Sequence, residues 1–181
     1  MFIIYWFRHL PLLELNRSEW TPFIQNAWFR QHYMKFVYVF QFLVLSIPFQ
    51  MELGFSKLNI FFLILIGIST FIVHEWIHIV TVYKKGDMSL TFKGIFFWLH
   101  TNAVLSKPRF FLLMSLPFIF LSIIPGLLSF FTSGEFEIIL LFICWINTLY
   151  SASDIFNSVL ILRKPRHSKF CRGFYKIDSV Q

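Results

Sequence analysis

The sequence predicts an all-α polytopic membrane protein with about four transmembrane helices. Three observations carry that reading. Apolar residues make up 57% of the 181 positions and charged residues 14%, against roughly 25% charged in a soluble chain. Phenylalanine alone fills 26 positions, more apolar surface than a core of this size can hide. The apolar residues also gather in four runs, at about 33–53, 58–83, 110–131 and 136–162. A helix needs about 20 residues to cross the hydrocarbon core. The last three runs clear that length; the first is shorter and carries Gln41, Pro48 and Gln50.

Taken in order, the elements are these. The first 32 residues mix aromatic, apolar and charged positions. They read as an interfacial segment in which Ser18 caps a short helix through Arg30, anchored by Trp20, Phe23, Trp28 and Phe29. The start, MFIIYWFRHLPLLEL, has neither a basic residue ahead of its apolar part nor a small-residue cleavage site, so no cleavable signal peptide is expected. The loop over 84–109 is apolar and β-branched, with a turn signal at Lys93–Gly94. It reads as a membrane-associated β-hairpin or re-entrant segment, with a short interfacial helix as the alternative. Pro117 and Pro125 are expected to kink the third span. The whole is one membrane domain of three parts: the segment 1–32, a core over 58–165 and a basic tail over 166–181.

The charges orient these spans. Of the 16 Lys and Arg residues, only Lys57 lies between the first and second spans, and none lies between the third and fourth. The other fifteen fall on the opposite side, which by the positive-inside rule is the cytoplasm, with both termini. The net charge of +7 is read as loops facing anionic lipid. No basic-aromatic nucleic-acid module is visible. Cys144 and Cys171 form no spaced pattern, which argues against a disulfide framework or a cysteine zinc finger.

Ionisable side chains deep in a bilayer are costly and mark functional sites. In the three strong spans they are His74, Glu75, His78 and Asp154, with no Lys or Arg to pair with either carboxylate. A bound cation would account for them. HEWIH is an HExxH motif: residues four apart share a helix face, so His74 and His78 can reach one metal. Glu75, one position round, can reach a water on that metal and act as general base. Catalytic zinc takes three protein ligands and keeps one position open. Asp154 is the carboxylate left to be the third. At about 1.5 Å per residue, His74, His78 and Asp154 all lie roughly 7–14 Å below the cytoplasmic surface, although their helices run antiparallel.

Asn147, Ser151, Asp154 and Ser158 form one polar stripe at i, i+4, i+7, i+11. Ser151 and Ser158 are read as hydrogen-bond glue between helices. Asn147 is either glue or a group binding a substrate carbonyl or oxyanion. His9, His32, His100 and His167 are read as interfacial or solvated.

With these residues in hand, the chain resembles intramembrane metalloproteases of the site-2 protease type. Among them it resembles the small bacterial membrane proteins described as the putative zincin peptidase family. In site-2 proteases HExxH lies on one core helix and a ligand aspartate two transmembrane helices later, as HEWIH and Asp154 do here. The resemblance covers roughly residues 58–165. It departs at the aspartate, where the usual Leu-Asp-Gly is Ser153-Asp154-Ile155, and no PDZ-like regulatory domain is present. It implies a zinc endopeptidase (Zn2+ on His74, His78 and Asp154, Glu75 as base) cutting a membrane-spanning or juxtamembrane peptide held by strand addition to the 84–109 hairpin. The bacterial cell membrane would be its location.

Three other classes stand against this reading. A non-catalytic metal-binding scaffold or immunity-type protein would leave Glu75 without a purpose. A midplane transporter would call for a repeated half and a broken helix pair, neither of which the sequence displays. A di-iron oxidase would need more histidines.

Overall fold

The computed structural model describes residues 4–6, 19–93 and 96–177. Within them six α-helices and seven short strands follow one another: β1 (Ile4–Trp6), β2 (Thr21–Pro22), α1 (Ala27–Met51), α2 (Ile60–Val82), β3 (Met88–Lys93), β4 (Phe96–Thr101), β5 (Leu105–Ser106), α3 (Lys107–Phe118), α4 (Ile124–Ser129), α5 (Glu135–Tyr150), α6 (Ala152–Leu162), β6 (Ser168–Cys171) and β7 (Phe174–Ile177). Three helical stretches are long and apolar enough to cross a membrane: Ala27–Met51, Ile60–Val82 and Lys107–Ser129. The last joins α3 and α4 through a widened π turn at Ile119–Ile123, between Pro117 and Pro125.

The N-terminal expectation is corrected. Ser18 lies outside the described residues, and among those described no separate helix precedes the first span. Asn26 is the cap, its side chain accepting from the Phe29 N–H at 2.9 Å, and α1 runs unbroken from there through the first apolar run. Of the four expected aromatic anchors, Trp20 and Phe23 are buried in the fold and Trp28 is exposed. Trp20 and Phe23 sit beside β2, which pairs with β7. The basic tail is likewise folded: β6 and β7 form an antiparallel hairpin closed by Arg172–Gly173, within a sheet ordered β2-β7-β6-β5. Phe23, Phe170, Tyr175 and Ile161 make its core. Lys107, from the start of α3, caps the end of α6 by donating to the carbonyls of Leu162 and Lys164.

The loop over 84–109 is a hairpin, as one of its two expected forms had it. β3 and β4 pair antiparallel from Met88↔Thr101 to Lys93↔Phe96. β1 adds to the other side of β3 in parallel, so among the described residues β3 is the central strand and β1 and β4 are the edges. The hairpin is tied down at its base. Met88 is buried with Val82, Ala103, Leu105 and Leu113, and a Cβ on Gly86 would lie 2.7 Å from the Cα and N of Ala103. Gly86→Ala must therefore push backbone apart. The expected result is a loss of about 1–3 kcal/mol, read as a lower melting temperature in detergent.

The fourth apolar run is not one straight helix. It breaks at Ser151, and α5 and α6 meet at 65°. The residues Ser151-Ala152-Ser153-Asp154 explain the break. Ser and Asp compete with helical backbone bonding in a helix interior; the Ser151 side chain makes no capping bond to α6, and its Oγ lies 3.2 Å from Asn147 Nδ2. The polar stripe from Asn147 to Ser158 is thus divided between two helices, with Asp154 in the first turn of α6.

α2 packs against α3 and α5, and α6 against α3 and α1. The inward stripe of α2 is Leu63, Gly67, Thr70, His74, His78 and Val82. A proline inside a helix leaves the carbonyl four residues earlier without its N–H partner. In α1, Pro48 leaves the Val44 carbonyl free, and Trp145 of α5 donates its Nε1–H to that carbonyl at 2.9 Å.

Candidate metal centre

The helix spacing of HEWIH delivers what it predicts locally. His74 and His78 lie one turn apart on the buried face of α2, 3% and 6% exposed. Asp154 enters from the first turn of α6, also buried. Its Oδ2 is 3.3 Å from His74 Nε2 and 3.2 Å from His78 Nε2, and the two Nε2 atoms are 3.1 Å apart.

The other ring nitrogens are committed elsewhere. His78 Nδ1 lies 2.8 Å from the Leu113 carbonyl, which can only accept, so Nδ1 carries the proton. His74 Nδ1 lies 2.9 Å from Asn147 Oδ1. The amide orientation of Asn147 is set by its Nδ2, which donates to the Pro117 carbonyl at 3.1 Å and has Ser122 Oγ and Ser151 Oγ within 2.8 and 3.2 Å. Both rings therefore hold Nδ1–H and turn an Nε2 lone pair to the same point as a carboxylate oxygen.

Three electron-rich atoms at such distances repel unless a cation lies among them. Around an ion with bonds of about 2.0 Å, a tetrahedron has edges of roughly 3.3 Å. The donor set and its spacing therefore fit a divalent ion of zinc's size. Among the described residues, His74, His78 and Asp154 are the group of His, Cys, Asp and Glu side chains that converge in this way.

Glu75 stands apart from the three. It is partly buried, and its Oε2 has no hydrogen-bond partner among the described residues. An unpartnered carboxylate oxygen inside a fold is costly unless it meets water or a ligand.

Asn147, read from the sequence as either helix glue or an oxyanion group, is bonded within the fold. It is fully buried, its carbonyl faces His74, and its amide is consumed by three oxygens. Two groups around the site had no place in the sequence reading. One is the Leu113 carbonyl. The other is Tyr33 of α1, whose hydroxyl lies 3.0 Å from the Ser153 carbonyl and 2.9 Å from Asn157 Oδ1, bracing the turn that carries Asp154. Of the remaining histidines, His32 bonds the Trp28 carbonyl at 2.8 Å and His167 is exposed; His9 and the His100 side chain lie outside the described residues. Both cysteines are free.

Fold and site together define a mostly helical protein whose apolar, membrane-length helices enclose a buried group of side chains able to hold a metal ion. A family model described as Putative zincin peptidase matches residues 67–169, more than half of the chain, and the chain belongs to that family. The matched stretch begins within α2 ahead of HEWIH and ends in β6, so it contains His74, Glu75, His78 and Asp154 and omits Tyr33. No curated protein and no solved structure matches the chain.

Proposed function

We propose that this protein is a zinc-dependent endopeptidase of the site-2 protease type, embedded in the membrane with both termini on the cytoplasmic side. Its substrate is a peptide in a membrane-spanning or juxtamembrane segment. The observation that carries the reading is the convergence of His74 Nε2, His78 Nε2 and Asp154 Oδ2 within 3.3 Å, with both Nδ1 atoms already bonded to protein oxygens. Membrane insertion is supported by the large apolar side chains turned outward on α1 and α2, among them Phe42, Phe49, Phe61, Leu65 and Trp76.

In this reading His74, His78 and Asp154 hold the metal. When bound, zinc supplies Lewis acidity, making water a nucleophile near neutral pH and polarising the scissile carbonyl. The chain's own work is orientation and proton transfer. Asn147 and the Leu113 carbonyl fix the ring planes of His74 and His78. Glu75 takes the proton from the attacking water and passes it to the leaving amine. Burial of the site keeps bulk water out and strengthens these interactions. β4, a hairpin strand at the edge of the sheet among the described residues, is where an extended peptide can add by backbone pairing.

Glu75 also weighs against a purely structural metal site, because among the described residues nothing bonds its Oε2. The reading is tested by incubating the purified protein with detergent-solubilised bacterial membranes and mapping new peptide termini by mass spectrometry. Termini inside apolar segments are expected with the zinc-loaded protein and not after phenanthroline treatment. The same set of termini in both samples would remove the peptidase assignment.

A further inference from the structure

We infer that Pro117 is a positioning residue for both metal-ligating histidines, acting through two backbone carbonyls. The inference rests on the proposed metal site and extends it to a residue that touches neither metal nor substrate.

The chemistry starts from what proline lacks. In a regular helix the N–H of residue 117 would bond the carbonyl of residue 113. Proline has no N–H, and its ring crowds that carbonyl and tilts it off the helix axis. The Leu113 carbonyl is therefore free, and the group that takes it is His78 Nδ1 at 2.8 Å. Leu113 itself is 3% exposed and packed in the cluster with Val82 and Met88, so the carbonyl is held in place. Pro48 and Trp145 show the same substitution of a side-chain N–H for the missing backbone donor elsewhere in the molecule.

The second carbonyl is Pro117's own. It lies just ahead of the π turn at Ile119–Ile123 and accepts from Asn147 Nδ2 at 3.1 Å. Because a carbonyl only accepts, this bond fixes which end of the Asn147 amide faces His74, and so presents Oδ1 to His74 Nδ1 at 2.9 Å. One fully buried proline thus sets the proton on Nδ1 of both rings and leaves both Nε2 lone pairs for the ion.

The test compares Pro117→Ala with the matched control Pro48→Ala, using zinc titration against a chromophoric chelator and thermal unfolding of the metal-free proteins. Restoring an N–H at 117 lets the helix close on the Leu113 carbonyl and draw it from His78. Pro117→Ala is expected to weaken zinc binding about tenfold or more while metal-free stability holds or rises, since alanine is the better helix residue. Pro48→Ala is expected to leave zinc affinity unchanged. Equal affinity in wild type and Pro117→Ala overturns the inference, and so does a loss matched by Pro48→Ala. Failure of the wild-type protein to bind zinc overturns the metal site itself, a separate result. Should Pro117→Ala not fold, Pro117→Gly, which restores the same N–H, is titrated in its place: weaker zinc binding than wild type is expected, and affinity equal to wild type refutes the inference.

Discussion

Glu75→Gln is expected to keep bound zinc and to lose peptide hydrolysis by about 10²- to 10⁴-fold, the range that a general base contributes. Glutamine has the shape of glutamate and can rest in the same partly buried place, but it cannot take a proton. Glu75 lies one residue from His74 and is not among the three atoms that converge, so zinc stoichiometry should stay at the wild-type value. Stability should hold or improve, because a neutral amide replaces a carboxylate whose Oε2 is unpartnered among the described residues. Zinc content by elemental analysis and the rate of appearance of new termini separate the possibilities. Zinc lost along with activity would make Glu75 a ligand; activity retained would leave it without a catalytic role.

Much of this arrangement is legible in the sequence, and the physical reason differs from part to part. Long apolar helices announce themselves because runs of hydrocarbon length with so little charge have no stable place in water. HEWIH is legible because two imidazoles four residues apart share one face of a helix. Asp154 is legible by elimination, as a carboxylate with no cation to pair with. The break at Ser151 has a signal in the cluster of Ser151, Ser153 and Asp154, short polar side chains that weaken a helix interior, but the apolar run on either side masks it. On a straight fourth helix, shared depth alone would have to bring Asp154 level with the histidines. The convergence is instead made by a bend three residues before the aspartate. That bend also supplies the broken helix pair whose absence from the sequence counted against a transporter; the family match is what separates the classes now.

Other features leave no letter in the sequence at all. The Leu113 carbonyl is backbone, and only the proline four residues later hints that it is free. β1 and β2 are two or three residues long, too short for any alternation to register. Tyr33 looks like one more aromatic in an aromatic-rich first span, and only the packing of α1 on α6 brings it to the turn that carries Asp154. The sequence offers Asn147 a chemical role because amides near metals can bind carbonyls. The sequence does not show that it is completely buried and bonded to His74, Pro117, Ser122 and Ser151.

Asp154→Asn carries the second large effect. The carboxylate oxygen is the one anionic donor of the converging set, 3.3 and 3.2 Å from the two Nε2 atoms. Removing it should weaken zinc binding by more than the roughly 10- to 100-fold that loss of an outer hydrogen-bond partner costs. The consequence for stability follows from linkage. At zinc 100 times the wild-type Kd, binding adds about 2.7 kcal/mol to the folded state; if the variant binds 100-fold more weakly, the same zinc adds only about 0.4 kcal/mol. On the scale of chains this size, the difference is a zinc-dependent rise in Tm of about 5–10 °C that wild type has and the variant lacks. Without zinc the order need not favour wild type, because aspartate buries a charge against two lone pairs that only a cation reconciles. Melting curves with and without zinc therefore test the site from both sides. A rise in Tm of equal size in both proteins would take Asp154 out of the metal centre and leave the break at Ser151 without its purpose.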